Sequence, residues 1–135
     1  MNRRIDPGRL ASFLRGDGPA RRTAVILGSG LSAGIAPDGD RGSIGYGEVE
    51  GLAAPSVRGH PGRIFPLGGG LVVFAGRSHL YESGSGDHQR AVVRLAASIG
   101  CRRILLTQAA GSLRASLRPG TWMSASDLVS LPAAR

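Results

Sequence analysis

Apolar residues cluster in short runs that are separated by segments rich in Gly and Pro. Continuous apolar runs at 23–27, 71–75 and 103–107 are typical of strands that are covered on both faces of a sheet. Residues 62–67 predict a further strand, and the glycines at 68–70 predict a turn that joins it to 71–75. The pattern therefore indicates a sheet of short strands.

Three other segments predict strands or a loop. Residues 46–52 (YGEVEGL) alternate between apolar and polar side chains, which predicts a strand. The segment 121–131 (TWMSASDLVSL) predicts another strand. Residues 76–87 (GRSHLYESGSGD) are rich in Gly and Ser and predict a loop.

Two segments predict helices. Residues 7–14 form a short one, with Pro7 at its start and Gly16 beyond its end. A longer helix follows Asp87, which is a suitable N-cap, and ends at Gly100. Its apolar positions have helical spacing and are 91, 92, 95, 96 and 99. This order of elements predicts an α/β domain with a mixed β-sheet flanked by helices.

Length and composition fit a single globular domain over residues 1–135. Hydrophobic residues make up 41% and charged residues 19% of the chain, and the formal net charge is +8. All 17 basic residues are Arg and are scattered, while aromatic residues make up only 4%. Because nucleic-acid surfaces usually combine clustered positive charge with aromatic stacking platforms, we expect no nucleic-acid partner.

Cysteine usage and hydropathy indicate the compartment. Cys101 is the only cysteine, which excludes an internal disulfide and favours a reducing environment. The first residues have no apolar stretch of the kind found in signal peptides, and no segment approaches the roughly 20 apolar residues of a membrane helix. We therefore expect a cytoplasmic protein that has no membrane partner. We also expect no metal site, because the spacing of the 3 histidines is not that of metal ligands.

Residues 28–33 (GSGLSA) follow the strand at 23–27 and match the dinucleotide pattern G-x-G-x-x-A. That pattern needs a helix after the glycines, whereas Pro37 and repeated glycines up to Gly47 disfavour one. A turn without a ligand is one alternative. The other is a compact loop in which Ser29 and backbone N–H groups bind one small anion.

Two further strand ends carry residues that suit an anion. Arg77, His79 and Tyr81 alternate after the strand at 71–75, and Arg and His side chains bind oxyanions. The small residues at 107–112 (TQAAGS) let backbone N–H groups approach a ligand. Taken alone, the first set is also consistent with a solvated surface loop, and the second with a tight turn at the end of a strand that merely needs small residues. Together they predict a ligand site at the carboxyl ends of the strands.

Four motifs in a fixed order resemble the trimeric-type purine nucleoside phosphorylases, to which the methylthioadenosine phosphorylases are close relatives. The motifs are GSGL (28–31), GHPGR (59–63), GRSHLYE (76–82) and TQAAGSL (107–113), with PG at 119–120. The resemblance covers about residues 20–132 and implies a nucleoside phosphorylase-like fold. Two departures are Gln108, where the family usually has Asn, and Ser32, where Gly is common.

The resemblance implies phosphorolysis of purine (deoxy)ribonucleosides to free base and (deoxy)ribose 1-phosphate, with inorganic phosphate as co-substrate and no cofactor. It implies catalytic roles for His79 and His60, with His60 on a mobile loop over the phosphate. It implies that Tyr81 packs on the ribose or forms a hydrogen bond to it. The residues that it assigns to phosphate are Ser29, Arg77, His79 and the backbone at Ala109.

Members of that family are much longer, and their C-terminal half carries the purine-binding residues. The resemblance therefore implies a partial domain that needs such a half for activity. We expect a homo- or hetero-oligomer, with the half supplied by a separate chain or by a longer gene product, and an unpaired strand at 121–131. The alternatives are a non-catalytic phosphate- or nucleoside-binding protein or fragment and a nucleotide-dependent oxidoreductase.

Overall fold

A computed structural model describes residues 4–14, 22–35 and 42–129 of the chain. The strands in these ranges are β1 (Arg22–Leu27), β2 (Ile44–Gly45), β3 (Arg63–Leu67), β4 (Leu71–Ala75) and β5 (Cys101–Leu106). The α-helices are α1 (Pro7–Leu14), α2 (Leu80–Ser83) and α3 (Asp87–Ser98), and 3₁₀ turns span Ser32–Gly34 and Tyr46–Glu48. None of these helices is long and apolar enough to cross a membrane.

The five strands form one mixed sheet in the order β2-β3-β4-β1-β5. β1 pairs in parallel with both β4 and β5, whereas β3 is antiparallel to β4 and β2. The last residues of β1, β4 and β5 therefore lie at one end of the sheet, which we call the carboxyl end. Because β3 runs the other way, its first residue, Arg63, pairs with Ala75, the last residue of β4. The segment before β3 is thereby brought to the carboxyl end as well.

The main core lies between one face of the sheet and the helices α1 and α3. Leu10 of α1 and Leu95 of α3 are buried in the same cluster as Ile26 and Phe74 of the sheet. The Phe74 ring meets the Tyr46 ring edge to face, with centroids 6.4 Å apart. A smaller cluster covers the opposite face and consists of Leu27, Phe65, Val73 and Ala75. Apolar packing on both faces of the sheet thus stabilises its carboxyl end.

The structure confirms the α/β class, the mixed sheet and most of its predicted elements. The strands predicted from continuous apolar runs are β1, β4 and β5, and the predicted turn at 68–70 joins β3 to β4. The expected cover on both faces is wrong for β5, whose residues 102–106 are exposed. The predicted helix at 7–14 is α1, although Gly16 lies outside the described residues. α3 also forms as predicted, but its N-cap is Gly86, so that Asp87 is the first helical residue rather than the cap.

Two predictions failed because side-chain hydrogen bonds turn the chain locally. Residues 46–52 form no continuous strand, since the Glu48 carboxylate accepts the backbone N–H of Gly45 at 2.7 Å and stabilises a 3₁₀ turn. The predicted loop at 76–87 contains α2, at whose start the Glu82 carboxylate accepts a backbone N–H.

The strand predicted at 121–131 is also wrong over residues 121–129, which form no strand; residues 130–131 lie outside the described residues. A strand needs a hydrogen-bonded neighbour, and β5 instead ends the sheet on this side. The N–H of Thr121 bonds the carbonyl of Arg118 at 3.0 Å, which gives a turn. The apolar side chains Trp122 and Met123 remain exposed.

Candidate functional site

The loop after β1 turns sharply against the end of β5. Gly28 donates its backbone N–H to Thr107 Oγ1 at 3.0 Å, and the Thr107 N–H bonds the carbonyl of Ile26 at 3.0 Å. A Cβ at position 28 would lie 2.5 Å from the Thr107 carbonyl oxygen, so the approach requires Gly. Residues 28–35 contain only turns and the 3₁₀ segment, so the helix needed by a dinucleotide site is absent there; Pro37 lies outside the described residues.

His60 reaches the carboxyl end of the sheet from the segment before β3. Its side chain is only 6% exposed, and it packs against Gly76, the first residue after β4. A Cβ on Gly76 would lie 2.8 Å from His60 Cα, and Gly76 has a φ of +93°, so this position requires Gly on both grounds. The buried Tyr46 hydroxyl donates to the Gly76 carbonyl at 2.7 Å, and burial raises the pKa of Tyr46, which keeps this donor neutral.

The His60 imidazole joins three of the residues predicted from sequence. Its Nε2 lies 3.2 Å from Ser29 Oγ and 3.0 Å from His79 Nε2. The backbone N–H of Arg77 donates to its Nδ1 at 3.3 Å. A backbone N–H can only donate, so the proton of neutral His60 lies on Nε2. From there it can be donated to Ser29 Oγ or to His79 Nε2.

Burial and neighbouring positive charge disfavour a second proton on this ring. Burial lowers the pKa of His60 below its usual value, and the charges of His79 and Arg77 lower it further, while Glu82 acts in the opposite direction. His60 is therefore neutral at pH 7. A neutral imidazole with a fixed N–H, beside an Arg and a second His, forms a donor-rich site for an oxyanion.

Tyr81 stacks on the other histidine of the site. The Tyr81 and His79 rings are nearly parallel, at 6°, with centroids 5.1 Å apart. Tyr81 itself is 74% exposed, so that one face of its ring supports the imidazole while most of the side chain remains open to a ligand.

Sequence reasoning missed several residues that position the site. Thr107 and Tyr46 hold the glycines at 28 and 76, as described above, and neither residue was predicted to do so. Glu82 accepts the backbone N–H of His79 with Oε1 and the Ser56 N–H and hydroxyl with Oε2, at 2.8 and 2.6 Å. Two of these residues stand in the quoted motifs, Glu82 as the last residue of GRSHLYE and Thr107 as the first of TQAAGSL.

The structure brings Ser29, His60, Arg77, His79 and Tyr81 to the carboxyl end of the sheet. Ala109 lies two residues beyond Thr107 at the same end and is exposed, but no side chain of the imidazole cluster bonds to it. Among the residues that the structure describes, no three His, Cys, Asp or Glu side chains are arranged to hold a metal ion.

Curated relatives were found in bacteria and mammals. Purine nucleoside phosphorylase from Mycobacterium leprae is 38% identical over 112 residues, which cover 80% of this chain and 42% of the relative. The chain is homologous to the N-terminal half of the purine nucleoside phosphorylases. The rat purine nucleoside phosphorylase is 33% identical over 131 residues and is covered to 45%. No protein-family model matches the chain.

Solved phosphorylase structures share the fold. A Schistosoma mansoni purine nucleoside phosphorylase superposes with a TM-score of 0.59 at 29% identity, over 83% of this chain and 42% of that one. A purine nucleoside phosphorylase in complex with ribose-1-phosphate gives a TM-score of 0.58 at 27% identity, over 83% of this chain and 41% of that one. The chain therefore spans less than half the length of the phosphorylases that it matches.

Proposed function

We propose that the chain forms the phosphate-binding part of a purine nucleoside phosphorylase, a pentosyltransferase. The observation that carries this proposal is the cluster of Ser29, His60 and His79 beside Arg77, at the carboxyl end of a sheet that phosphorylases share. A neighbouring structure that holds ribose-1-phosphate supports the same kind of ligand here, because that molecule combines a pentose and a phosphate.

In this proposal the phosphate is bound by Ser29, the Arg77 guanidinium, His79 and the backbone N–H at Ala109. Arg presents a planar, permanently charged set of donors that suits a phosphate. A hydroxyl, an imidazole and a backbone N–H add donors from other directions. The three loops involved follow β1, β4 and β5, and parallel pairing brings their starting points together.

The proposed reaction is phosphorolysis. A phosphate oxygen forms a bond to C1′ of the nucleoside while the bond from C1′ to the purine nitrogen breaks, and the electron pair leaves on the purine. The ribose then carries oxocarbenium-like positive charge, which the adjacent phosphate stabilises. Holding the phosphate in line with C1′ supplies most of the acceleration, through positioning and charge complementarity.

We assign catalytic roles to His60 and His79 and a ribose contact to Tyr81. The Nε2–H of His60 can be donated to Ser29 Oγ or His79 Nε2, which belong to two of the proposed phosphate ligands. Tyr81 is stacked on His79 and largely exposed. The purine contacts are assigned to sequence that corresponds to the remaining length of the relatives. Inorganic phosphate is the co-substrate, and the proposal needs no cofactor. The cytoplasmic location and the oligomer expected from sequence stay predictions.

Replacing Arg77 tests the phosphate site directly. We expect Arg77→Ala to raise the Kd for inorganic phosphate about 10- to 100-fold, since a hydrogen bond to a charged group contributes about 1.5–3 kcal/mol. Calorimetric titration of the chain with phosphate measures this. Arg9→Ala, on the exposed side of α1, is the matched control and should bind as the wild type does. Equal Kd values for the wild type and Arg77→Ala would contradict the assignment.

Base release tests the activity. Inosine, guanosine and adenosine are incubated with the chain with and without phosphate, and free purine is measured by chromatography. Release that depends on phosphate and is lost in Arg77→Ala supports a phosphorylase. Phosphate binding without release of any base, even after a separate chain carrying the C-terminal half of a phosphorylase is added, favours the non-catalytic binding protein.

A further inference from the structure

We propose that Glu82 is a positioning residue for both histidines of the anion site. Its carboxylate joins the loop after β4 to the segment before β3 and thereby holds the imidazoles of His60 and His79 within hydrogen-bond distance. The inference rests on the proposed function, because it concerns the same site.

The Glu82 carboxylate bonds two chain segments at once. Oε1 accepts the backbone N–H of His79, three residues before it. Oε2 accepts both the N–H and the hydroxyl of Ser56, 26 residues away in sequence, at 2.8 and 2.6 Å. An ionised carboxylate is an acceptor at both oxygens, whereas a Gln amide has only one acceptor atom. The three donors therefore match the charged form of Glu82.

Each of these donors belongs to a segment that carries one of the two histidines. On one side, Ser56 directly precedes a turn in which the His60 N–H bonds the Val57 carbonyl at 3.2 Å. On the other side, His79 is the N-cap of α2. Fixing Ser56 and the His79 backbone against one carboxylate thus sets the distance between the two rings, whose Nε2 atoms are 3.0 Å apart.

Helix capping alone does not account for this arrangement. Capping of α2 requires only the bond from the His79 N–H. The bonds to Ser56 leave α2 and fasten a different segment. Glu48 provides an internal comparison, because its carboxylate accepts the Gly45 N–H at the start of a 3₁₀ turn at 2.7 Å and bonds no other segment in the described residues.

The position of the His60 proton is a direct readout of this role. With Arg77 donating to Nδ1, His60 holds its proton on Nε2, and the ¹⁵N shifts of the ring report that tautomer in the full chain at pH 7.5. We expect Glu82→Gln and Ser56→Ala to move His60 toward a mixture of tautomers and to raise the Kd for inorganic phosphate about tenfold, the effect of weakening one charge-assisted contact. Ser56→Ala leaves the α2 cap in place, so it remains informative if Glu82→Gln fails to fold.

Two control variants distinguish a loss of histidine positioning from a general disturbance of the fold. Ser56→Thr keeps both donors and should restore wild-type shifts and Kd. Glu48→Gln makes the same substitution at a carboxylate that accepts only one backbone N–H, and it should change neither. The proposal is overturned if wild-type His60 shows no preference for the Nε2–H tautomer, or if Glu82→Gln and Ser56→Ala leave its shifts unchanged. Shifts that respond as expected in a chain that binds no phosphate support the positioning role and contradict the proposed function instead.

Discussion

At the scale of single residues, the protonation of His60 controls the hydrogen bonds of the site. The Arg77 N–H needs a lone pair on Nδ1, so a second proton on the ring would set two donors against each other. This geometry agrees with the lowered pKa of His60, which arises first from burial. A neutral His60 is therefore part of the folded arrangement.

The lowered pKa predicts how stability changes with pH. The unfolded chain takes up the proton near 6.5, whereas the folded chain resists it, so the stabilising contribution is complete above 6.5 and is lost as pH falls through the folded pKa. We expect urea unfolding at pH 7.5 and at pH 5.5 to show a smaller pH dependence in His60→Gln than in the wild type. His88→Gln, on α3, serves as the control; identical pH dependence in wild type and His60→Gln would contradict the argument.

A second titration occurs at lower pH. Bonds from the Ser56 side chain and from the backbone of His79 and Ser56 lower the pKa of Glu82 from 4.5 to about 2. Its contribution to stability is present above 4.5 and is lost as pH falls toward 2. We expect the stability difference between wild type and Glu82→Gln, measured by urea unfolding, to shrink across that interval. Such carboxyls titrate between about pH 6 and pH 2. A stability difference between wild type and Glu82→Gln that stays constant over this interval would contradict the hydrogen bonds described for Glu82.

Gly76 is the residue whose substitution should disturb the site most directly. Gly76→Ala places a methyl group 2.8 Å from the backbone of His60 at a φ of +93°. Gly69→Ala is a matched control, because Gly69 has a φ of +73° and a methyl group there would meet nothing within 4 Å. We expect backbone strain of about 1–2 kcal/mol in both and a further loss in Gly76→Ala alone, measured by urea unfolding. Equal losses of unfolding free energy in the two variants would mean that His60 moves away from the added methyl group without a free-energy penalty.

At the scale of elements, the sequence predicted what depends on local patterns. The continuous apolar runs of β1, β4 and β5 and the helical spacing in α3 are local properties, and these elements formed. The predicted grouping of Ser29 with Arg77 and His79 followed from the rule that carboxyl ends of parallel strands meet.

The features that the sequence patterns did not predict depend on contacts between residues that are far apart in sequence. The route of His60 into the site requires β3 to be antiparallel, which no periodicity shows. The bonds from Ser56 to Glu82 and from Gly28 to Thr107 join residues 26 and 79 positions apart. Such hydrogen bonds exist only after the sheet has formed, so single-sequence patterns do not contain them.

The strand β4 leads directly into the Gly76–Arg77 part of the site, and its residues 72–75 are buried. Phe74 is fully buried between the sheet and its helices. We expect Phe74→Ala to lower the free energy of unfolding by about 3–5 kcal/mol. Val93→Ala, at an exposed position on α3, should cost far less. Urea unfolding measures both, and similar losses would contradict the position of the core.

At the scale of the whole molecule, the sheet ends at β5 in the part of the chain that the structure describes. β5 is the last strand in the order, and Ile104, Leu105 and Leu106 are 43%, 54% and 57% exposed. The sequence predicted an unpaired strand at 121–131, but the exposed edge lies at β5. An apolar edge strand is a template for pairing with another chain.

We therefore expect this 135-residue chain to self-associate as its concentration rises. Leu105→Lys should reduce light scattering, because a charge on an edge strand opposes strand pairing. Val93→Lys is the matched control, since Val93 is 47% exposed but lies on a helix. Equal reduction by both variants would point to net charge rather than to the β5 edge.

The hairpin of β3 and β4 has a consequence for the order of folding. His60 precedes this hairpin and His79 follows it, so the contact between their rings spans only 19 residues and closes through a tight turn. The contact of Gly28 with Thr107 spans 79 residues and closes a much larger loop. Since the entropy lost on closure grows with loop length, we expect the imidazole pair to assemble early and the glycine turn to join it late. The histidines of the anion site would then be in place before the loop after β1 packs against the end of β5.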